Sequence, residues 1–97
     1  MFVSIRKYEK VVSIEEVKRR AEQEFIPLLK QNAGFRNYYL VGAYSDAGDI
    51  LTAISIFDSW EAALASNDIA RKFVKDRLAD MLPQPAQAVG GEVILSA

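Results

Sequence analysis

The residue pattern predicts an α+β chain in which six elements follow one another as β-α-β-β-α-β. Two stretches place apolar residues three and four apart behind a capping signal, as amphipathic helices do. Four short runs rich in β-branched and aromatic residues surround them, and a turn cluster joins the middle two.

Residues 2–9 alternate as a strand, with Val3 and Ile5 on one face and Phe2, Ser4, Arg6 and Tyr8 on the other. Ser13 and Glu16 form a capping box that opens the first helix, whose apolar stripe runs through residues 14, 17, 21, 25, 28 and 29. Pro27 lacks the donor its turn requires and predicts a kink, and Gly34 reads as a left-handed cap at the helix end. Residues 35–44 form the second strand, 45–49 the hairpin loop, and 50–57 the returning third strand. Asp58 and Glu61 repeat the capping pattern and open a short helix through about Ser66. Asn67 and Asp68 suggest a break before a second amphipathic run containing Ile69, Phe73, Val74, Leu78, Met81 and Leu82. Pro83 and Pro85 end that run. Residues 88–96 read as the fourth strand, with Gly90 and Gly91 marking a bulge or a close backbone approach. This order is the ferredoxin-like arrangement, a four-stranded antiparallel sheet. The crossover rule is taken to set strands one and three side by side and parallel at the centre, flanked by two and four.

Composition narrows the chemistry. The chain has 97 residues with 12 basic and 13 acidic side chains and a net charge of −1, which gives no electrostatic basis for nucleic-acid binding. Its length fits one domain over residues 1–97. Cysteine and histidine are both absent, so disulfides, thiol catalysis, histidine bases and the common transition-metal ligands are excluded. Asp46 and Asp49 are too few for a hard-cation site, and no glycine loop has phosphate-cradling spacing. No membrane-spanning run or signal-peptide profile is present, and the expected location is the cytoplasm.

Two helices cover one face of a four-stranded sheet. The second strand sets Phe35, Tyr39, Val41 and Ala43 against Tyr38, Leu40 and Tyr44; the third sets Ile50, Ile54 and Ile56 against Leu51, Ala53 and Phe57. Neither face is polar, contrary to a sheet with one wet side. The uncovered face has a footprint of roughly 400 Å². A patch of that size marks an interaction surface, and the expected partner is a second copy docked face to face.

The passage Ile54 to Ser66 (ISIFDSWEAALAS) and the handover Pro27-Leu28-Leu29 to Gly34-Phe35 resemble the antibiotic biosynthesis monooxygenase-like family of the dimeric α/β-barrel superfamily. The likeness covers nearly the whole chain. It implies a homodimeric barrel with a small pocket between each sheet and its own helices. It also implies oxidation of aromatic or quinol-like molecules without metal, flavin or haem, so no cofactor is expected. The haem-degrading branch of that superfamily uses a helix histidine and a tryptophan. Phe73 and Ala63 stand where those residues would be, so haem degradation is set aside.

Cofactor-free oxygenation needs a deprotonatable substrate, exclusion of water, and donors that hold the resulting anion. Trp60 and Asn37 are the candidate catalytic residues: Trp60 as a pocket wall with an indole donor, Asn37 as an amide among apolar neighbours. Arg6, Tyr8, Tyr39, Phe57 and Phe73 are the candidate substrate-binding residues. Most have a structural counter-reading: Trp60 over the sheet edge, Asn37 as a solvated strand-end residue, tyrosines as interface filler, and Arg6 neutralised by Glu92 on the last strand. Charged runs such as Glu15-Glu16-Lys18-Arg19-Arg20 form a solvated helix face. The leading function is binding, with oxygenation, of a small aromatic or quinone-like molecule. The alternative is a non-enzymatic ligand-binding or structural dimer in which the pocket is collapsed by Phe57, Trp60 and Phe73. An isomerase-type role would need a carboxylate or tyrosine base inside the pocket.

Overall fold

The four predicted strands assemble into one sheet, in which the second, third, first and fourth strands of the chain lie side by side in that order. The structure, a computed structural model, describes residues 1–97. It contains β1 (Phe2–Val11), α1 (Ile14–Arg20), α2 (Ile26–Lys30), β2 (Phe35–Ala43), β3 (Asp49–Phe57), α3 (Trp60–Phe73) and β4 (Gln87–Glu92). The fold is ferredoxin-like α+β, with every neighbouring strand pair antiparallel. The expected parallel centre is therefore corrected. The first helical segment brings the chain back so that β1 and β2 share a direction, and the hairpin then reverses β3 against both.

The helices cover the face of the sheet built by Phe2, Ser4, Arg6 and Tyr8 of β1 and Leu51, Ala53, Ser55 and Phe57 of β3. Leu29, Leu51 and Phe57 are fully buried there, and Phe25 stacks on Phe73 with ring centroids 5.1 Å apart. Burial of a Leu or Phe side chain stabilises by about 1.5–3 kcal/mol, so these residues anchor both helices to the sheet. Ser13 caps α1 as expected, its hydroxyl accepting from the Glu16 amide at 3.2 Å.

The helical geometry changes just ahead of Pro27. A π-helical turn, Ala21–Phe25, separates α1 from α2 and places Pro27 in the first turn of α2, where its missing N–H costs little. Gly34 is not left-handed; Gly48, at φ 122°, is the glycine with positive φ. Gly34 is instead required by closeness, since a Cβ there would lie 2.6 Å from the Ala62 Cβ. Asn32 spans the same junction, accepting from the Gly34 amide and donating to the Ala62 carbonyl, each at 3.0 Å.

The other departures are local. Ser59, not Asp58, caps α3 by accepting from the Ala62 amide at 3.2 Å, and Asp58 pairs with Arg36 instead. Asn67 and Asp68 do not break α3, which runs unbroken to Phe73 and widens into a second π turn at Val74–Leu78. The register shifts between Phe35 and Asn37, so Phe35 turns into the core against Phe57 and leaves the face of Tyr39. β4 ends at Glu92 without a bulge, and Gly90 serves a close approach, because a Cβ there would sit 3.3 Å from the Val3 carbonyl oxygen.

The face away from the helices carries an apolar row across all four strands: Tyr39, Ile54, Ile5 and Val89. Ile56 and Val3 extend it, and Tyr39, Val41 and Val89 are at least half exposed. Beyond β4, Ile94 and Leu95 are 90% and 88% exposed. No helix is long and apolar enough to cross a membrane.

Candidate functional site

The covered face of β1 presents polar groups in a setting where apolar ones are the rule. Alternation along the strand points Ser4, Arg6 and Tyr8 toward the helices. The neighbours of Arg6 in the sheet are Ala53 on one side and Ala88 on the other, and these small side chains leave room for the guanidinium. Its Nε donates to the Tyr8 hydroxyl at 3.0 Å. Ser4 Oγ donates to Oδ1 of Asn67 on α3 at 3.0 Å, which ties strand to helix.

These groups border three adjoining hollows. The innermost, between the sheet and the Phe25–Phe73 stack, has a volume of about 40 Å³. That is room for a few water molecules. A second hollow of about 180 Å³ is walled by Trp60, Val3, Ala63, Arg71 and Gly90. A third, of about 220 Å³, lies under the loop containing Pro83 and Pro85. Arg6 borders all three, and Ser4 and Asn67 border the first two. Both π turns lie at this cavity, contributing Phe25, Val74 and Leu78 to its wall.

Tyr38 also borders the innermost hollow. Burial, and to a lesser extent the neighbouring Tyr8, raises its hydroxyl above the usual tyrosine range, so it remains a neutral donor. It has no side-chain hydrogen-bond partner within the chain.

The seven residues singled out from the sequence do not all meet here. Arg6, Tyr8 and Phe73 border the innermost hollow. Trp60 borders the second, 42% exposed, with its ring centroid 5.9 Å from that of Phe2. Phe57 is wholly buried behind the cavity rather than facing it. Asn37 and Tyr39 are exposed on the opposite face of the sheet. The anticipated Arg6–Glu92 pair does not form: Glu92 is opposite Phe2, and Arg6 has no carboxylate partner.

Sequence reasoning missed Ser4 and Asn67 as a pair. Their signal is a polar residue on a covered strand face and another on the apolar α3 stripe of Ala63, Ala70 and Phe73. Reading Asn67 as a helix breaker hid it.

No protein-family model and no curated protein matches the sequence. Solved structures do match in fold. A dimeric ferredoxin-like protein from an uncultured marine organism aligns with TM-score 0.73 at 13% identity, covering 100% of this chain and 98% of that one. A candidate antibiotic biosynthesis monooxygenase from Nitrosomonas europaea aligns with TM-score 0.70 at 16% identity, covering 98% and 100%. A monooxygenase from the gene ActVA-Orf6 of Streptomyces coelicolor, in complex with nanaomycin D, aligns with TM-score 0.66 at 17% identity, covering 98% and 92%. The chain thus has the fold of the antibiotic biosynthesis monooxygenase-like proteins.

Proposed function

We propose that this chain forms a homodimer through its open sheet faces and that each protomer binds a small aromatic or quinone-like molecule around Arg6. Cofactor-independent oxygenation is the activity assigned to that cleft. The observation that carries the reading is the line of Ser4, Arg6, Tyr8 and Tyr38 along a mostly apolar, helix-covered cavity, whose other polar lining residues are Ser55, Ser66 and Asn67. Within the chain Ser4 is bonded to Asn67 and Arg6 to Tyr8, but the Tyr38 hydroxyl and the terminal nitrogens of Arg6 have no side-chain partner. A ligand with ring oxygens would supply that partner.

Arg6, Tyr8 and Tyr38 donate to the oxygens of a hydroquinone-like ring and stabilise the anion formed when its hydroxyl proton passes to solvent; a ring C–H carbon adds dioxygen to give a hydroperoxide, which loses water to leave the quinone carbonyl. Phe73 forms the inner wall. Trp60 forms the outer wall and offers its indole N–H. Phe57 buttresses the cavity from behind. Asn37 and Tyr39 belong to the dimer face, where the proposed second copy covers them. The Streptomyces monooxygenase with nanaomycin D and the dimeric marine protein support this assignment by fold.

Oxygen uptake with a panel of hydroquinones and anthrone-like phenols, on metal-stripped protein, tests it. Uptake matched to substrate loss is the expected result, with Trp60→Phe lowering the rate about tenfold, the scale of one donor or less. Unaltered turnover in Asn37→Ala removes that amide from the catalytic set. A second reading, a non-enzymatic dimer, draws on the 40 Å³ interior, well short of the ~300 Å³ of ordinary ligand pockets. Absence of both oxygen uptake and ligand binding selects it.

A further inference from the structure

The charge around the cleft is one-sided. The chain as a whole has more acidic than basic residues, 13 against 12. Yet the three hollows meeting at Arg6 are bordered by Arg6, Arg71 and Lys75 and by no Asp or Glu. Asp68 pairs with Arg71 from outside the lining, leaving Arg6 and Lys75 without any carboxylate. Arg6 is also half-buried, and its one side-chain hydrogen bond, to Tyr8, uses Nε alone. The terminal nitrogens of its guanidinium have no side-chain partner in the chain. A guanidinium held this way keeps its charge without a counter-charge in the chain, and its planar fork matches a carboxylate.

We propose that the ligand of this cleft is an aromatic carboxylate, its anionic group bound by Arg6 with support from Arg71, and its ring directed toward Trp60 and Phe73. This rests on the cleft being a ligand site and narrows the ligand to one chemical class. Ala53 and Ala88 beside Arg6 leave the space an incoming carboxylate needs. Lys75 adds a longer-range attraction at the third hollow.

Isothermal titration of the intact protein with 3-hydroxy-2-naphthoate and with 2-naphthol, which share the ring system, tests the proposal. The carboxylate binds at least tenfold more tightly, as a charge-assisted pair predicts. Arg6→Gln brings the ratio close to one by weakening the carboxylate far more than the naphthol, Arg6→Lys retains part of it, and added salt narrows it. Should Arg6→Gln fail to fold, Arg71→Gln, altered at an exposed side chain, serves in its place and reduces the ratio about threefold. Equal affinities, or a ratio untouched by the Arg6 and Arg71 variants, overturn anion recognition and leave the cleft as a ligand site. Binding of neither compound overturns both readings.

Discussion

Single contacts decide the tightest junction in the chain. Gly34 and Ala62 face each other where the first helical region hands over to β2 and the second begins. Adding a methyl at residue 34 forces atoms now separated by backbone-limited distances into overlap. Gly34→Ala is expected to destabilise by about 1–3 kcal/mol, the usual cost of overpacking. Ala62→Gly alone costs about 1 kcal/mol through helix propensity. Combined, the two changes relieve the overlap, so chemical denaturation should show the double variant more stable than additivity predicts. Strictly additive losses would mean that the two positions are not in contact.

At the level of the elements, an ion-pair network joins the two helical regions. Arg20 of α1 bonds Glu16 at 2.8 Å and Asp80 at 2.8 Å, and also donates to the Arg77 carbonyl; Arg19 bonds Glu16 at 2.6 Å. Hydrogen bonds from Arg19 and then Arg20 bring the Glu16 carboxyl down from 4.5 to about 2, and Arg20 lowers Asp80 in the same direction. A folded-state value below the unfolded one stabilises above the unfolded value and is lost as pH falls through the folded one. Thermal stability should therefore decline between about pH 4.5 and pH 2. The Arg19→Gln/Arg20→Gln double variant should flatten that decline as measured by melting temperature. Because the network is largely at the surface, the effect should shrink in high salt.

For the molecule as a whole, the open sheet face is the dominant unpaired surface. Ile54 and Ile5 sit at its centre, between Tyr39 and Val89. A charge placed there would be buried without a partner in a face-to-face dimer and tolerated in a monomer. Light scattering should give twice 10.8 kDa for the native chain and 10.8 kDa for Ile54→Lys, with the circular dichroism of the monomer preserved. A native mass of 10.8 kDa would remove the dimer and leave the Arg6 cleft to be judged on ligand binding alone.

Element order and the two-faced apolarity of β3 were legible along the chain, because both depend on local periodicity. The Ser13 cap was legible for the same reason, since its partner is three residues away. What the chain order could not supply was the meeting of distant residues. Asn67 reads as a helix breaker until Ser4, 63 positions earlier, is seen to donate to it. Phe35 reads as an open-face residue until a register shift turns it toward Phe57. Asn37 and Trp60 look like one site and lie on different faces of the sheet. Arg6 was expected to pair with Glu92, but the register puts Ala88 at its side and leaves it without a carboxylate partner. Periodicity constrains which face a side chain takes, whereas strand register and helix placement, set by packing across the whole core, determine which neighbours it meets there.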